Sequence, residues 1–368
     1  VTGISYVDLA ALHRPLRDRL LEAVGRVLDH GHFILGPEVE ELEHRLAERL
    51  EVPAVVGVGS GTGALVLALQ SRGIGPGDDV LTVSHSFVAT ASAVRLVGAR
   101  PVFVDVDEES MLLDPDLLED ARTPATRAVV PVHLNGHPCD LEPIAAFCRR
   151  HGLHLIEDCA QAFGVRAAGR PVGTADLGCF SLHPLKVLPG YGDGGFIALS
   201  DPAEAARLRE LRNLGLRDRD HCRMVSDNSR LDTIQAAMLL VGLDCFDDWV
   251  ATRRGHAAAY RRELAGALRL PPIERPGDRA IYSAFVVRHG QRDRLQQLLR
   301  DRGIDAKAHY PLAIHQQEAF ADLPPSTLPV TERVVGEILS LPAHAALSEP
   351  ERERVVEALR EALRELET

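Results

Sequence analysis

At 368 residues the chain is long enough to bury large cores, and its length suggests two or three domains. Its 45% hydrophobic and 26% charged content suits a soluble globular protein, and no apolar run approaches the ~18 residues that a membrane span needs. A net charge of −12 argues against a nucleic-acid backbone as partner, because surfaces that bind one are basic, yet it permits a locally positive pocket.

In chain order, residues 14–29 and 37–50 have the apolar spacing of amphipathic helices, the second opening on Pro37 at a favoured first-turn position. No basic segment leads into an apolar stretch near the start, so a cytoplasmic location is expected. Short apolar runs then fit buried strands at 54–58, 80–83, 101–104, 128–132 and 153–157, with helical stretches near 62–72, 87–97, 115–121 and 141–151. This alternation predicts an α/β fold with a mostly parallel sheet covered on both faces. Two more strands, near 178–182 and 195–199, are joined by a short glycine-rich connection that suits antiparallel neighbours. Helices follow through 202–213 and from about 231 to 264. Beyond the proline-rich segment 269–279, a strand at 283–288 and helices at 291–302, 330–338 and 348–366 suit a smaller α+β domain. The expected division is a large domain over 1–248, including the N-terminal helices, and a small one over 249–368. Six scattered cysteines, with no pair at metal-binding spacing, suggest a reduced compartment and no structural metal.

Only two of the 41 basic residues are lysines, Lys186 and Lys307. Arginine does not shed its proton to become a nucleophilic amine, whereas a lysine of lowered pKa does. Each lysine is therefore a candidate, with a solvated surface position the plain alternative for Lys307. Lys186 ends the segment Cys179-Phe180-Ser181-Leu182-His183-Pro184-Leu185-Lys186, where an apolar strand delivers a serine, a histidine and a lysine into a proline- and glycine-bounded loop. His183 reads as a structural hydrogen-bonder. Earlier, Gly57-Val58-Gly59-Ser60-Gly61-Thr62-Gly63-Ala64 follows a strand and opens a helix, where free amides make an anion cradle. Residues 59–64 also satisfy the G-x-G-x-x-A pattern of a nicotinamide oxidoreductase, but the next strand ends in Val83-Ser84 without the acid that pattern wants. The strand at 153–157 leads into Glu157-Asp158 at its crevice end. Spacing does not choose between these acids, and either suits a helix cap. Phe87 offers a flat apolar face or is a core aromatic. An amine, an acid, an anion cradle and an apolar face are what a pyridoxal-phosphate pocket needs.

These residues belong to a wider likeness: the chain resembles the DegT/DnrJ/EryC1/StrS aminotransferases, fold-type I pyridoxal-phosphate enzymes that aminate keto-sugars and related cyclitols. The likeness includes Gly61-Thr62-Gly63-Ala64-Leu65, Gly98-Ala99-Arg100-Pro101, Pro131-Val132-His133-Leu134-Asn135-Gly136 and Glu157-Asp158-Cys159-Ala160-Gln161-Ala162. It continues through Lys186, Gly192-Asp193-Gly194-Gly195, Asn228-Ser229-Arg230-Leu231-Asp232 and His309-Tyr310-Pro311. The resemblance implies a large domain with a mostly parallel seven-stranded sheet and a small C-terminal α+β domain. It implies that Lys186 carries the cofactor as a Schiff base and that Asp158 partners the pyridine nitrogen. Gln161 would meet the ring near its phenolic oxygen, Phe87 would stack on one face, and Gly61, Thr62 and Ser181 would hold the phosphate. Asn228 would reach the phosphate of a neighbouring subunit, giving a homodimer with shared active sites. Relatives with histidine in place of the lysine are sugar dehydratases, and this chain keeps lysine. Departures at His183-Pro184-Leu185 and at Ser283 bear on the acceptor rather than on the cofactor. The implied reaction moves an amino group from L-glutamate or L-glutamine to a keto-sugar, expected to be nucleotide-linked, in amino-sugar or antibiotic biosynthesis. A keto-cyclitol, a keto-sugar without a nucleotide and a non-catalytic cofactor-binding regulator are the other readings.

Overall fold

Capping residues set the ends of the leading helices. After α1 (Leu9–His13), α2 (Arg17–His30) stops at Gly31, whose φ of 71° is left-handed and favours glycine. Pro37 then starts α3 (Pro37–Leu50) behind the extended Gly36. The computed structural model describes residues 3–367.

Five apolar runs become β1 (Ala54–Val58), β2 (Asp79–Val83), β3 (Arg100–Val104), β4 (Thr126–Val130) and β5 (His154–Asp158). Between them lie α4 (Gly61–Ser71), α5 (Ala89–Leu96), α6 (Leu118–Ala121) and α7 (Leu141–His151). A two-residue hairpin, β6 (Arg166–Ala167) and β7 (Arg170–Pro171), precedes β8 (Leu177–Ser181) and β9 (Gly195–Leu199). The main sheet has seven strands in the order β1-β9-β8-β5-β4-β2-β3. Only β9 runs against its neighbours, so the short link between the last two strands joins an antiparallel pair as expected. Four strands separate β1 from β2. A dinucleotide-binding sheet keeps its first two strands adjacent, so the glycine pattern after β1 has another use.

Both sheet faces are covered. On one, Val55, Phe180 and Phe196 pack with Leu42 and Leu46 of α3 and with Leu239 and Leu243 of α9 (Thr233–Leu243). On the other, Val56, Val80, Ala128, Ile156 and Ile197 pack with Leu65 of α4, Val94 of α5 and Leu208 of α8 (Ala203–Leu211). Near-continuous burial of strands follows from this double cover. The helix expected through 231–264 is two, α9 and α10 (Phe246–Glu263), with Asp244 and Cys245 between them.

The small domain packs α11 (Arg292–Asp301) and α13 (Glu349–Leu366) over β10 (Phe285–Arg288) and β11 (Ile338–Leu341), with α12 (Pro329–Glu337) leading into β11. The strand β11 was not expected, because four buried residues at a helix end carry no alternation to read. Residue 248 falls inside α10, whose Phe246 and Val250 join the large-domain core while Ala257 and Tyr260 join the small-domain core. Ile4 pairs with Ile304, so the described start of the chain packs with the small domain.

Candidate active site

The site gathers where α4 begins and where β5 and β8 end. Ser60 caps α4: its Oγ accepts the Gly63 amide at 2.9 Å, and its carbonyl accepts the Ala64 amide at 2.9 Å. That leaves the amides of Gly61 and Thr62 without a partner among the described residues, at the positive end of an 11-residue helix. Gly61 lies directly on Ser181, since a Cβ there would stand 2.7 Å from the serine's own Cβ. Gly61, Thr62 and Ser181 therefore form one cup.

Strand alternation separates the two acids at the end of β5. Glu157 turns into the core, where its carboxylate accepts the Gly173 amide at 2.7 Å and the Ala175 amide at 3.1 Å. His133 Nδ1 accepts the Cys139 amide, which keeps its proton on Nε2 to donate to Glu157 at 3.0 Å. Glu157, His133 and Cys159 form the one cluster of three metal-type donors among the described residues, but Glu157 is already fully engaged. Asp158 faces the other way. It accepts Thr90 Oγ1–H at 2.7 Å and the Ala160 amide at 3.1 Å, and Thr90 in turn meets Ser86 at 2.8 Å. No helix follows Asp158 directly, so it is not a cap. Burial pushes its carboxyl above the usual range, opposed by those two bonds and by the charge of Lys186.

Lys186 sits in the turn after β8, its amide donating to the His183 carbonyl at 2.8 Å. Burial pulls its ammonium below the usual range, with the Asp158 charge opposing. The amine and the acid thus share one electrostatic environment. Phe87 is 51% exposed, and its ring lies 5.4 Å from that of Tyr310 at a 39° tilt. Gln161 accepts the Asn135 amide at 2.8 Å and donates to Tyr310 Oη at 3.3 Å. Tyr310 therefore links the apolar face to the amide. Next to it, burial and the charges of Lys186 and Lys307 bring His309 down to about 4.

Asn228 stands apart from this group. Its exposed side chain makes no hydrogen bond among the described residues, while the next residue, Ser229, lies against Gly59 and Gly63. His183 is exposed and accepts the Leu185 amide at 3.2 Å, which is a local structural role. Lys307 pairs with Asp305 at 2.6 Å and is about half exposed. Thr90 and Ser86 were not legible as site residues. Neither has a distinctive local pattern, and Thr90 is 68 residues from Asp158.

These residues fit pyridoxal phosphate. Two free amides at a helix start suit a phosphate, and at Gly61 a side chain would fill the space against Ser181. A buried carboxylate with no ion pair among the described residues suits a protonated ring nitrogen.

Comparisons with known proteins bear on the family and its cofactor. The sequence model of the DegT/DnrJ/EryC1/StrS aminotransferase family matches residues 15–360. The dTDP-3-amino-3,4,6-trideoxy-alpha-D-glucose transaminase of Streptomyces venezuelae is 43% identical over 365 residues, covering 97% of this chain and 96% of that protein. The UDP-N-acetyl-3-dehydro-alpha-D-glucosamine 3-aminotransferase of Acidithiobacillus ferrooxidans is 40% identical over 365 residues, covering 98% of each. Among solved structures, S. venezuelae DesV in complex with a ketimine intermediate superimposes with a TM-score of 0.95 at 42% identity, covering 99% of each chain.

Proposed function

The chain belongs to the DegT/DnrJ/EryC1/StrS aminotransferase family, as a pyridoxal-phosphate-dependent aminotransferase, and we propose that it aminates a nucleotide-linked keto-sugar. The donor in this reading is L-glutamate or L-glutamine. The observation that carries it is the meeting of the Asp158 end of β5 with the Ser181 end of β8 and the free amides of Gly61 and Thr62, with Lys186 in the turn just after β8. The nucleotide-sugar names of the two relatives support the acceptor class.

Bound here, pyridoxal phosphate supplies an aldehyde and an electron-accepting ring. Gly61, Thr62 and Ser181 would hold its phosphate, and Phe87 and Gln161 would fix the ring. Lys186 carries the cofactor. Once the donor's amine displaces it, its depressed pKa would leave more of the freed amine neutral near pH 7, so Nζ could take a proton from the donor's α-carbon and return it two atoms along. Asp158, held in place by Thr90 and the Ala160 amide, would keep a proton on the ring nitrogen. A second chain completes the site by lending Asn228. The exposure of Leu21, Leu28, Phe33 and Ile34 on and after α2 supports a partner surface in a homodimer.

Purified protein is expected to be yellow, to lose that band on adding L-glutamate or L-glutamine, and to recover it with a nucleotide-linked keto-sugar. Recovery with a keto-cyclitol alone would redirect the acceptor assignment. Lys186→Ala should abolish the band and multiple turnover, and sustained turnover in that variant refutes the lysine's role. Mixed dimers of Lys186→Ala and Asn228→Ala subunits should regain one intact site of two. Activity no higher than that of the two parent variants argues against a shared site.

A further inference from the structure

The cup opens from the last residues of β1, which is an edge strand, so one side of its backbone has no neighbouring strand. On that side a buried ion pair takes the place of a ladder. Glu43 of α3 accepts the Gly57 amide at 2.9 Å, and Arg212, just after α8, donates to the Gly57 carbonyl at 2.8 Å. The two side chains also bond to each other, and both residues are 6% exposed. Arg209 reaches the second oxygen of Glu43 at 3.4 Å.

The same arginine organises the next residues through its backbone. Its carbonyl accepts the Ser229 amide at 2.9 Å, and the Ser229 carbonyl accepts the Gly59 amide at 3.1 Å. Val58 bridges Arg230, and Asn213 bridges Asn228. One ion pair therefore holds Gly57 on one side and, through Arg212, the segment that presents Asn228. A buried ion pair is weak evidence for stability, because apolar residues of similar volume serve as well or better. Here its atoms are committed to the backbone of Gly57, four residues before Gly61.

We infer that Glu43 and Arg212 are a positioning pair for the phosphate cup and for the segment carrying Asn228. Neither touches the cofactor. Together they set the backbone path from Gly57 to Thr62 and the seat of residues 228–230, so their effect falls on how tightly a phosphate is held. The inference rests on the assignment of Gly61 and Thr62 to the cofactor's phosphate.

The test compares pyridoxal phosphate with pyridoxal, which lacks the phosphate, in equilibrium titrations of the full chain followed by absorbance. Glu43→Gln and Arg212→Met should each weaken pyridoxal phosphate by about tenfold, the scale on which supporting residues act on a bound group. Pyridoxal affinity should move by less than about twofold in the same variants, because its ring contacts are untouched. Arg212→Lys, which keeps the charge but ends one atom short of the Nη1 that serves both acceptors, guards against misfolding of the others and should show an intermediate loss. Equal losses for both ligands, or unchanged phosphate-dependent affinity in variants with native circular dichroism, would overturn the inference. Gly61→Ala separates this from the parent assignment: it should weaken pyridoxal phosphate selectively. If it does not, the cup assignment fails and the positioning role falls with it. If it does while the pair variants are silent, only the positioning role falls.

Discussion

Thr90 shows how one hydroxyl shapes the acid of the site. It donates to Asp158 at 2.7 Å and is itself 1% exposed, so water is poorly placed to replace that bond. Thr90→Val keeps the shape and removes the donor. Because burial already raises the Asp158 carboxyl, loss of a bond that opposes the shift raises it further and weakens its hold on a protonated ring nitrogen. A hydrogen bond to a charged group is worth about 1.5–3 kcal/mol, so the donor half-reaction should slow by about tenfold or more. Stopped-flow absorbance with saturating L-glutamate and L-glutamine reads this directly. A variant as fast as the parent would reduce Thr90 to a packing residue.

Elements were legible where composition changes sharply at their ends. β1 and β9 occupy 54–58 and 195–199 as read, because glycine-rich segments bound uninterrupted apolar runs. The orientation of Asp158 against Glu157 was not legible, since adjacent residues of a strand differ only in which face they meet, and that needs β4, β8 and the His133 turn in place. The division of 231–264 was hidden for a related reason, as Asp244 and Cys245 carry no strong breaker. Asp244 at this junction receives both Arg19 and Arg45, yet its side chain is 42% exposed. Asp244→Asn should therefore cost less than about 1 kcal/mol of stability. Leu42→Ala in α3, at a position 1% exposed, should cost about 2–5 kcal/mol by leaving a cavity under the sheet. Urea unfolding of the two variants side by side measures the contrast, and comparable losses would mean that the α9–α10 junction is held by its ion pairs.

For the whole molecule, pH acts through histidines buried where the two domains meet. His85 is 1% exposed and bonds the Met111 carbonyl, while His137 is 5% exposed and packs edge-on against Tyr282. Burial brings both down to about 4 from an ordinary 6.5. Between those values the unfolded chain binds more protons than the folded one, so stability is full above pH 6.5 and falls as pH drops toward 4. Each histidine contributes a slope of about 1.4 kcal/mol per pH unit, up to about 3 kcal/mol in all. Asp158 works in the opposite sense, because a raised carboxyl loses stability as pH rises through its folded value, and a ring cation beside it removes that effect. Urea unfolding of cofactor-loaded protein at pH 7, 5.5 and 4.5 should thus show a steep acid-side loss. His137→Gln should flatten the slope by one histidine's share while leaving stability above pH 7 nearly unchanged. A slope the same in the variant as in the parent would mean that the acid sensitivity of the domain join lies elsewhere.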